Sequence, residues 1–117
     1  MMQLRFPMFF DLHGRRAVVV GGGKIGRRRA QVLLDFGARV TVIDPRSAPI
    51  PGTEHLARAY APGDLKGAFL CTACTNDRAV NRAVGADARA LGIPVSVADA
   101  PEECDFFFPT VLSLIHI

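Results

Sequence analysis

The sequence predicts an α/β domain: a doubly wound parallel sheet with helices on both faces. Three observations carry that expectation. Short apolar runs suited to buried strands alternate with amphipathic stretches of helical period. A glycine turn, Gly21-Gly22-Gly23-Lys24-Ile25-Gly26, stands between the first such run, Ala17-Val18-Val19-Val20, and the first helical stretch. An acid, Asp44, closes the next run, Arg39-Val40-Thr41-Val42-Ile43, about 18 residues past Gly26. At 117 residues, half of them hydrophobic and 21% charged, the chain is one globular domain.

The elements follow in order. Residues Arg16 to Val20 form the first strand. The first helix runs from about Lys24 to Phe36, with Gly26, Ala30, Leu33 and Gly37 as a narrow inner stripe and Arg28, Gln31 and Asp35 outside. Gly37 ends it, and Arg39 to Ile43 is the second strand. Pro45 to Thr53, with three prolines, is a loop crossing the nucleotide edge, and Ala57 to Tyr60 is read as a short third strand. The continuous apolar run Ala68 to Ala73 is a buried strand. Thr75-Asn76-Asp77 caps a second helix that runs to about Leu91, its inner positions Val80, Val84, Ala88 and Leu91. Gly92 closes that helix, Val95 to Ala98 is a fifth strand, and Asp105 to Leu112 is expected to be a sixth.

The glycine turn is chemically specific in this context. Gly21 permits the tight turn, Gly23 lets a pyrophosphate approach the backbone, and Gly26 lets helix and strand pack closely. The amides of the helix N-terminus then face the anion. Asp44 is placed to bind a ribose 2′-OH, which favours NAD over NADP because a carboxylate repels a 2′-phosphate. The expectation is a Rossmann-type nucleotide site at the carboxyl ends of the strands. Its loops are Gly21–Gly26 with Lys24 and Ile25, Asp44-Pro45-Arg46, and Cys74–Asp77 with Thr75 and Asn76; Asp99-Ala100-Pro101 joins them from the fifth strand.

Other classes fit less well. The net charge of +3 is mild, and the basic residues do not interleave with aromatics as a nucleic-acid platform would. No apolar run approaches a membrane span, and Arg5 and Pro7 break the N-terminal apolar segment, so a cytoplasmic protein is expected. Three cysteines make no disulfide framework. Cys71 and Cys74 spell C-x-x-C, but on a strand residues three apart face opposite ways. His13, His55 and His116 are scattered, and no metal site is expected.

Several further segments occur together: Phe6-Pro7-Met8-Phe9-Phe10-Asp11-Leu12 ahead of the glycines, Thr72-Ala73-Cys74-Thr75-Asn76-Asp77 with Val80-Asn81, Val95-Ser96-Val97-Ala98-Asp99-Ala100-Pro101, and Cys104-Asp105-Phe106-Phe107-Phe108-Pro109. In this order they resemble the precorrin-2 dehydrogenase domain of siroheme synthase and its bifunctional dehydrogenase–ferrochelatase relatives. The likeness spans about Leu4 to Leu112. It implies oxidation of precorrin-2 to sirohydrochlorin with NAD as hydride acceptor and, in some members, insertion of ferrous iron.

The resemblance also implies roles for residues. Asp99 matches the family's acid–base aspartate, suited to taking a proton from the tetrapyrrole. Arg28 and Asn81 are expected to contact that many-carboxylate substrate, and the basic run Arg27-Arg28-Arg29 beside the phosphate turn gains a purpose. Two departures stand out. Ser96 replaces a usual Asn. The family also continues into a dimerisation region, whereas residues 113–117 do not match it, which reads as a C-terminally truncated domain 1–112 whose longer relatives are homodimers. A competing reading is a non-catalytic NAD-sensing regulatory module, which shares the turn and Asp44 but leaves the Asp99 segment unexplained.

Overall fold

The computed structural model describes residues 4–108. Five strands, β1 (Arg16–Val20), β2 (Arg39–Ile43), β3 (Glu54–Leu56), β4 (Leu70–Ala73) and β5 (Val95–Val97), form one sheet in the order β3-β2-β1-β4-β5. Every neighbouring pair is parallel. The chain builds outward from β1 to β3, then returns to the other side of β1 for β4 and β5. The strand order therefore reverses at the β1–β4 boundary, where open α/β sheets leave a crevice at their carboxyl ends.

Helices α1 (Lys24–Asp35) and α2 (Arg78–Leu91) cover opposite faces. Alternation along β1 divides the core. Ala17 and Val19 pack with Ala30 and Leu33 of α1, while Val18 and Val20 pack with Val84 and Ala88 of α2. These four side chains are buried, each valine contributing about 1.5–3 kcal/mol of hydrophobic stabilisation. The two cysteines of C-x-x-C divide likewise: Cys71 lies in the α2-side core and Cys74 in the α1-side core.

Three expectations are corrected. The third strand is Glu54–Leu56 rather than Ala57 to Tyr60. It is a half-exposed edge strand, so it carries no apolar run to betray it. Pairing with β2 fixes it, through the Thr41 hydroxyl to the Glu54 carboxylate (3.0 Å) and the Asp44 N–H to the Leu56 carbonyl (3.1 Å). Beyond it the chain turns at Arg58, whose guanidinium pairs with Asp64.

The expected sixth strand is absent over 105–108, and residues 109–112 lie outside the described residues. The open edge of β5 is satisfied by a turn instead. Asp105 accepts from the Val95 N–H through its side chain (3.1 Å) and donates its own N–H to the Val95 carbonyl (2.8 Å). The Cys104 thiol accepts from Val97 N–H at 3.1 Å and lies 3.2 Å from the Val97 carbonyl. With those groups engaged, β5 has nothing left to offer another strand.

In α2 the buried residues are Asn81, Val84, Gly85 and Ala88, whereas Leu91 is 47% exposed. The inward stripe is thus rotated from the expected one, because small Gly85 and polar Asn81 sit against the sheet. Asp77 caps α2 by accepting from Ala79 N–H, and Gly92 ends it in the left-handed region. The β2–β3 crossover contains no helix; Ile50, 4% exposed, plugs it into the α1-side core.

Candidate active site

The glycine turn leaves the sheet while β1 is still bonded on both sides: Gly21 N–H donates to the Ile43 carbonyl and Cys74 N–H to the Val20 carbonyl, both at 2.8 Å. Gly21 has φ +107°, and a Cβ there would lie 2.8 Å from the Cys74 carbonyl carbon. A Cβ on Gly26 would run into the Gly21 carbonyl oxygen. At Gly23 nothing lies within 4 Å of such a Cβ, so this point faces open space.

Gly23 is the N-cap of α1 and brings no side-chain cap, and the first turn holds no acid. The amides of Lys24, Ile25 and Gly26 therefore stand uncapped at the positive end of the helix dipole. These residues fit a dinucleotide pyrophosphate: open backbone at Gly23, donors behind it and no competing carboxylate in the turn.

Asp44 ties the turn to the next loop. Its Oδ2 accepts from Gly22 N–H at 2.6 Å, and its Oδ1 accepts from Arg46 N–H at 2.7 Å and Ser47 N–H at 2.9 Å. Partial burial pushes its pKa up, but the Gly22, Arg46 and Ser47 amides and the nearby His55 outweigh it, holding the carboxyl below its ordinary value. A carboxylate offers about four acceptor positions, so room for a ribose hydroxyl remains beside these three donors. Pro45 and Arg46 are exposed on the same loop.

The third loop is built from β4. Asn76 is exposed there, and Thr75 is half-buried. Asn81, expected to touch substrate, has another task. It is fully buried, its Oδ1 accepts from Thr75 N–H (3.0 Å) and Oγ1 (2.7 Å), and its Nδ2 donates to the Thr75 carbonyl (3.0 Å). Its polar atoms are thus committed to holding Thr75, which leaves it a positioning residue of this loop.

The run Arg27-Arg28-Arg29 divides, as consecutive helical residues must. Arg27 reaches the Ala48 carbonyl at 3.5 Å, over the 44–48 loop. Arg28 is exposed on the outer face. Arg29 turns to the sheet, donating to the Thr72 hydroxyl (2.7 Å) and the Ser96 hydroxyl (3.3 Å) with its guanidinium carbon 4.7 Å from the centre of the Phe108 ring.

Asp99 follows β5 and is exposed. Arg78, the first residue of α2, donates to its Oδ1 at 3.0 Å and also pairs with Glu103. Neither Arg78 nor Glu103 stands out in the sequence. The only signal was Arg78 following the Asp77 cap, and nothing in sequence spacing joins position 78 to 99 and 103.

Among the described residues no group of His, Cys, Asp and Glu is arranged to hold a metal ion. Burial pushes the Cys71 thiol up to about 12 and also raises that of Cys74. A cavity of about 500 Å³, lined by Phe9, Phe10, Val32, Phe36 and Phe106 among others, lies beside the start of β4 and the end of α1, at the opposite end of the sheet from the glycine turn. No helix among the described residues is long and apolar enough to cross a membrane.

Comparison with known proteins places this geometry. A model of an NAD(P)-binding family, NAD_binding_7, matches residues 8–110. Siroheme synthase of Methylobacillus flagellatus is 42% identical over 113 residues, covering 91% of this chain and 24% of that protein. Siroheme synthase of Azotobacter vinelandii gives the same identity and coverage. The chain thus spans about a quarter of the length of these curated relatives. Among solved structures, SirC, a precorrin-2 dehydrogenase, superposes with TM-score 0.67 at 27% identity, covering 92% of this chain and 53% of that one. The apo-structure of D-lactate dehydrogenase from Escherichia coli, with TM-score 0.56 and 22% identity over 75% of this chain and 29% of that one, shares the fold.

Proposed function

The chain belongs to the NAD(P)-binding family whose model spans residues 8–110, and from that premise we propose that it is the nucleotide-binding part of an NAD-dependent precorrin-2 dehydrogenase of siroheme biosynthesis. The observation that carries this reading is the uncapped α1 N-terminus opening at Gly23, with Asp44 beside it, in a chain 42% identical to siroheme synthases. The relatives do not favour the regulatory-module alternative.

In this reading the amides of Lys24, Ile25 and Gly26 bind the pyrophosphate, Asp44 accepts from the adenosine ribose, and Thr75 and Asn76 border the nicotinamide side. Bound NAD supplies a hydride acceptor. As the electron pair of a substrate C–H bond leaves, Asp99 takes the accompanying proton, so the tetrapyrrole loses two hydrogens in all. Arg78 orients that carboxylate from the N-terminus of α2. Arg28 offers a cation to a substrate carboxylate. Iron insertion, with ferrous iron as substrate, homodimerisation of the longer protein and a cytoplasmic setting belong to the same reading.

The test is incubation with precorrin-2 and NAD while following NADH absorbance. NADH formation coupled to sirohydrochlorin is expected. A folded sample that binds NAD and forms no NADH overturns the catalytic reading.

A further inference from the structure

The two helices leave part of the sheet without a helix above it. Helix α1 packs on β1 and β2 on one face, and α2 packs on β4 and β5 on the other. On the α1 face, β4 and β5 therefore carry no α-helix among the described residues. One charged group reaches into that space. Arg29, from the second turn of α1, lays its guanidinium on the Thr72 and Ser96 hydroxyls with Phe108 stacked against it.

Arg29 is half-buried yet makes no ion pair among the described residues. Residues 1–3 and 109–117 contain no aspartate or glutamate to supply one. Its protein contacts all use Nη1: the Thr72 hydroxyl at 2.7 Å, the Ser96 hydroxyl at 3.3 Å and the Cys74 sulfur at 3.9 Å. The N–H groups on Nε and Nη2, three of the five that a guanidinium carries, have no acceptor among the described residues. The helix does not compensate the charge either. Lys24, Arg27 and Arg28 share the N-terminal half of α1, and its single acid, Asp35, lies at the far end and accepts from Gln31. A cation withdrawn from water without a counter-charge is unfavourable, and arginine is seldom buried unpaired. The free Nε–Nη2 edge has the fork geometry that takes a carboxylate through two parallel hydrogen bonds.

The position indicates whose carboxylate this is. Thr72 and Ser96 stand one residue before the ends of β4 and β5, on the side of the sheet where the nucleotide loops gather. Asp99 follows Ser96 by three residues, which keeps their Cα atoms within about 11 Å. We infer that Arg29 binds a peripheral carboxylate of the tetrapyrrole substrate and so sets which edge of the macrocycle is turned to Asp99. It works beside Arg28, which offers its charge from the outer face of α1. This inference rests on the dehydrogenase reading above.

The experiment combines steady-state kinetics with NMR on the full chain. Arg29→Gln removes the charge but keeps an amide able to donate to the Thr72 hydroxyl. It is expected to raise KM for precorrin-2 about tenfold or more, the scale of a lost charged hydrogen bond. Its kcat and NAD affinity are expected to change less than about threefold, as for a contact made equally in ground and transition states. Arg29→Lys is expected to recover part of the loss, because the charge returns without the fork. In the unsubstituted protein, titration with sirohydrochlorin is expected to shift the Arg29 Nε–H resonance, a readout that does not depend on the variants folding. A KM within about threefold of the parent in folded Arg29→Gln, or a resonance that sirohydrochlorin leaves unmoved, overturns the assignment. Folded protein that binds NAD and forms no NADH from precorrin-2 refutes the dehydrogenase reading itself, a separate failure.

Discussion

The Arg78 guanidinium donates to the Asp99 carboxylate at 3.0 Å while its other amino group engages Glu103, so one side chain at the start of α2 clamps the loop after β5 at two points. Both partners of this clamp are partly solvent-exposed. Its worth is in orientation, since exposed pairs add little to stability.

Asp99→Asn is therefore expected to lower kcat about 100-fold or more, within the range for loss of an acid–base group. NAD affinity is expected to change less than twofold. Steady-state turnover alongside calorimetric NAD titration checks both; undiminished turnover would remove Asp99 from the mechanism.

For Arg78→Met the expected loss is in kcat, about 10- to 100-fold, as for a catalytic group displaced by an ångström or so. Arg78→Lys should recover only part of it, because an ammonium cannot hold both carboxylates in the fork geometry of a guanidinium. The check is the kcat series Arg, Lys, Met with melting temperatures measured in parallel. A kcat loss matched by a collapse in melting temperature would make the role structural.

The glycines separate fold from binding. Gly26→Ala drives a methyl group into the Gly21 carbonyl, and about 1–3 kcal/mol of destabilisation is expected from such overpacking. Gly23→Ala meets open space, so its melting temperature should stay near that of the parent while NAD affinity falls. Thermal melts with and without NAD distinguish the two.

Asn81→Ala removes three hydrogen bonds to Thr75 at a fully buried site. About 1–3 kcal/mol is expected for each buried group left unsatisfied. Denaturant unfolding gives the loss, and NAD affinity should fall with it because Thr75 loses its support.

Asp44 makes the stability of the fold depend on acid. Its carboxyl is held below the ordinary 3.8, so the ionised form favours the folded state. That contribution is complete above the ordinary value and is lost as pH falls from there through the depressed one. Asp44→Asn should therefore be less stable than the parent at pH 7, with the gap closing below about pH 3.8. Urea midpoints between pH 2.5 and 7 test it; a gap independent of pH would refute the charge-based account.

How much of this was legible before the structure depended on whether the determinants were local. The strands Arg16–Val20 and Arg39–Ile43 and the limits of α2 could be read because central parallel strands are continuous apolar runs and helix ends carry cap residues. Edge strand Glu54–Leu56 could not, since pairing with β2 alone makes it a strand. The aromatic run after Cys104 looked like a strand, yet β5 had already satisfied its edge with Cys104 and Asp105. At the site, the glycines and Asp44 lie within one β-α-β segment and have a fixed spacing. The Arg78 clamp and the split of Arg27-Arg28-Arg29 depend on how separate elements meet, for which no spacing rule exists.

The contact of Arg29 with Thr72 and Ser96 has a bearing on how the chain folds. Thr72 and Ser96 are paired neighbours on β4 and β5, and both present hydroxyls to α1. A slip of one residue between these strands would turn Ser96 to the opposite face and strand the guanidinium against apolar side chains. The arginine of α1 thus works as a register check on two strands that are synthesised long after it. The Arg29 part of the helix's docking is complete only when β4 and β5 are paired in this register.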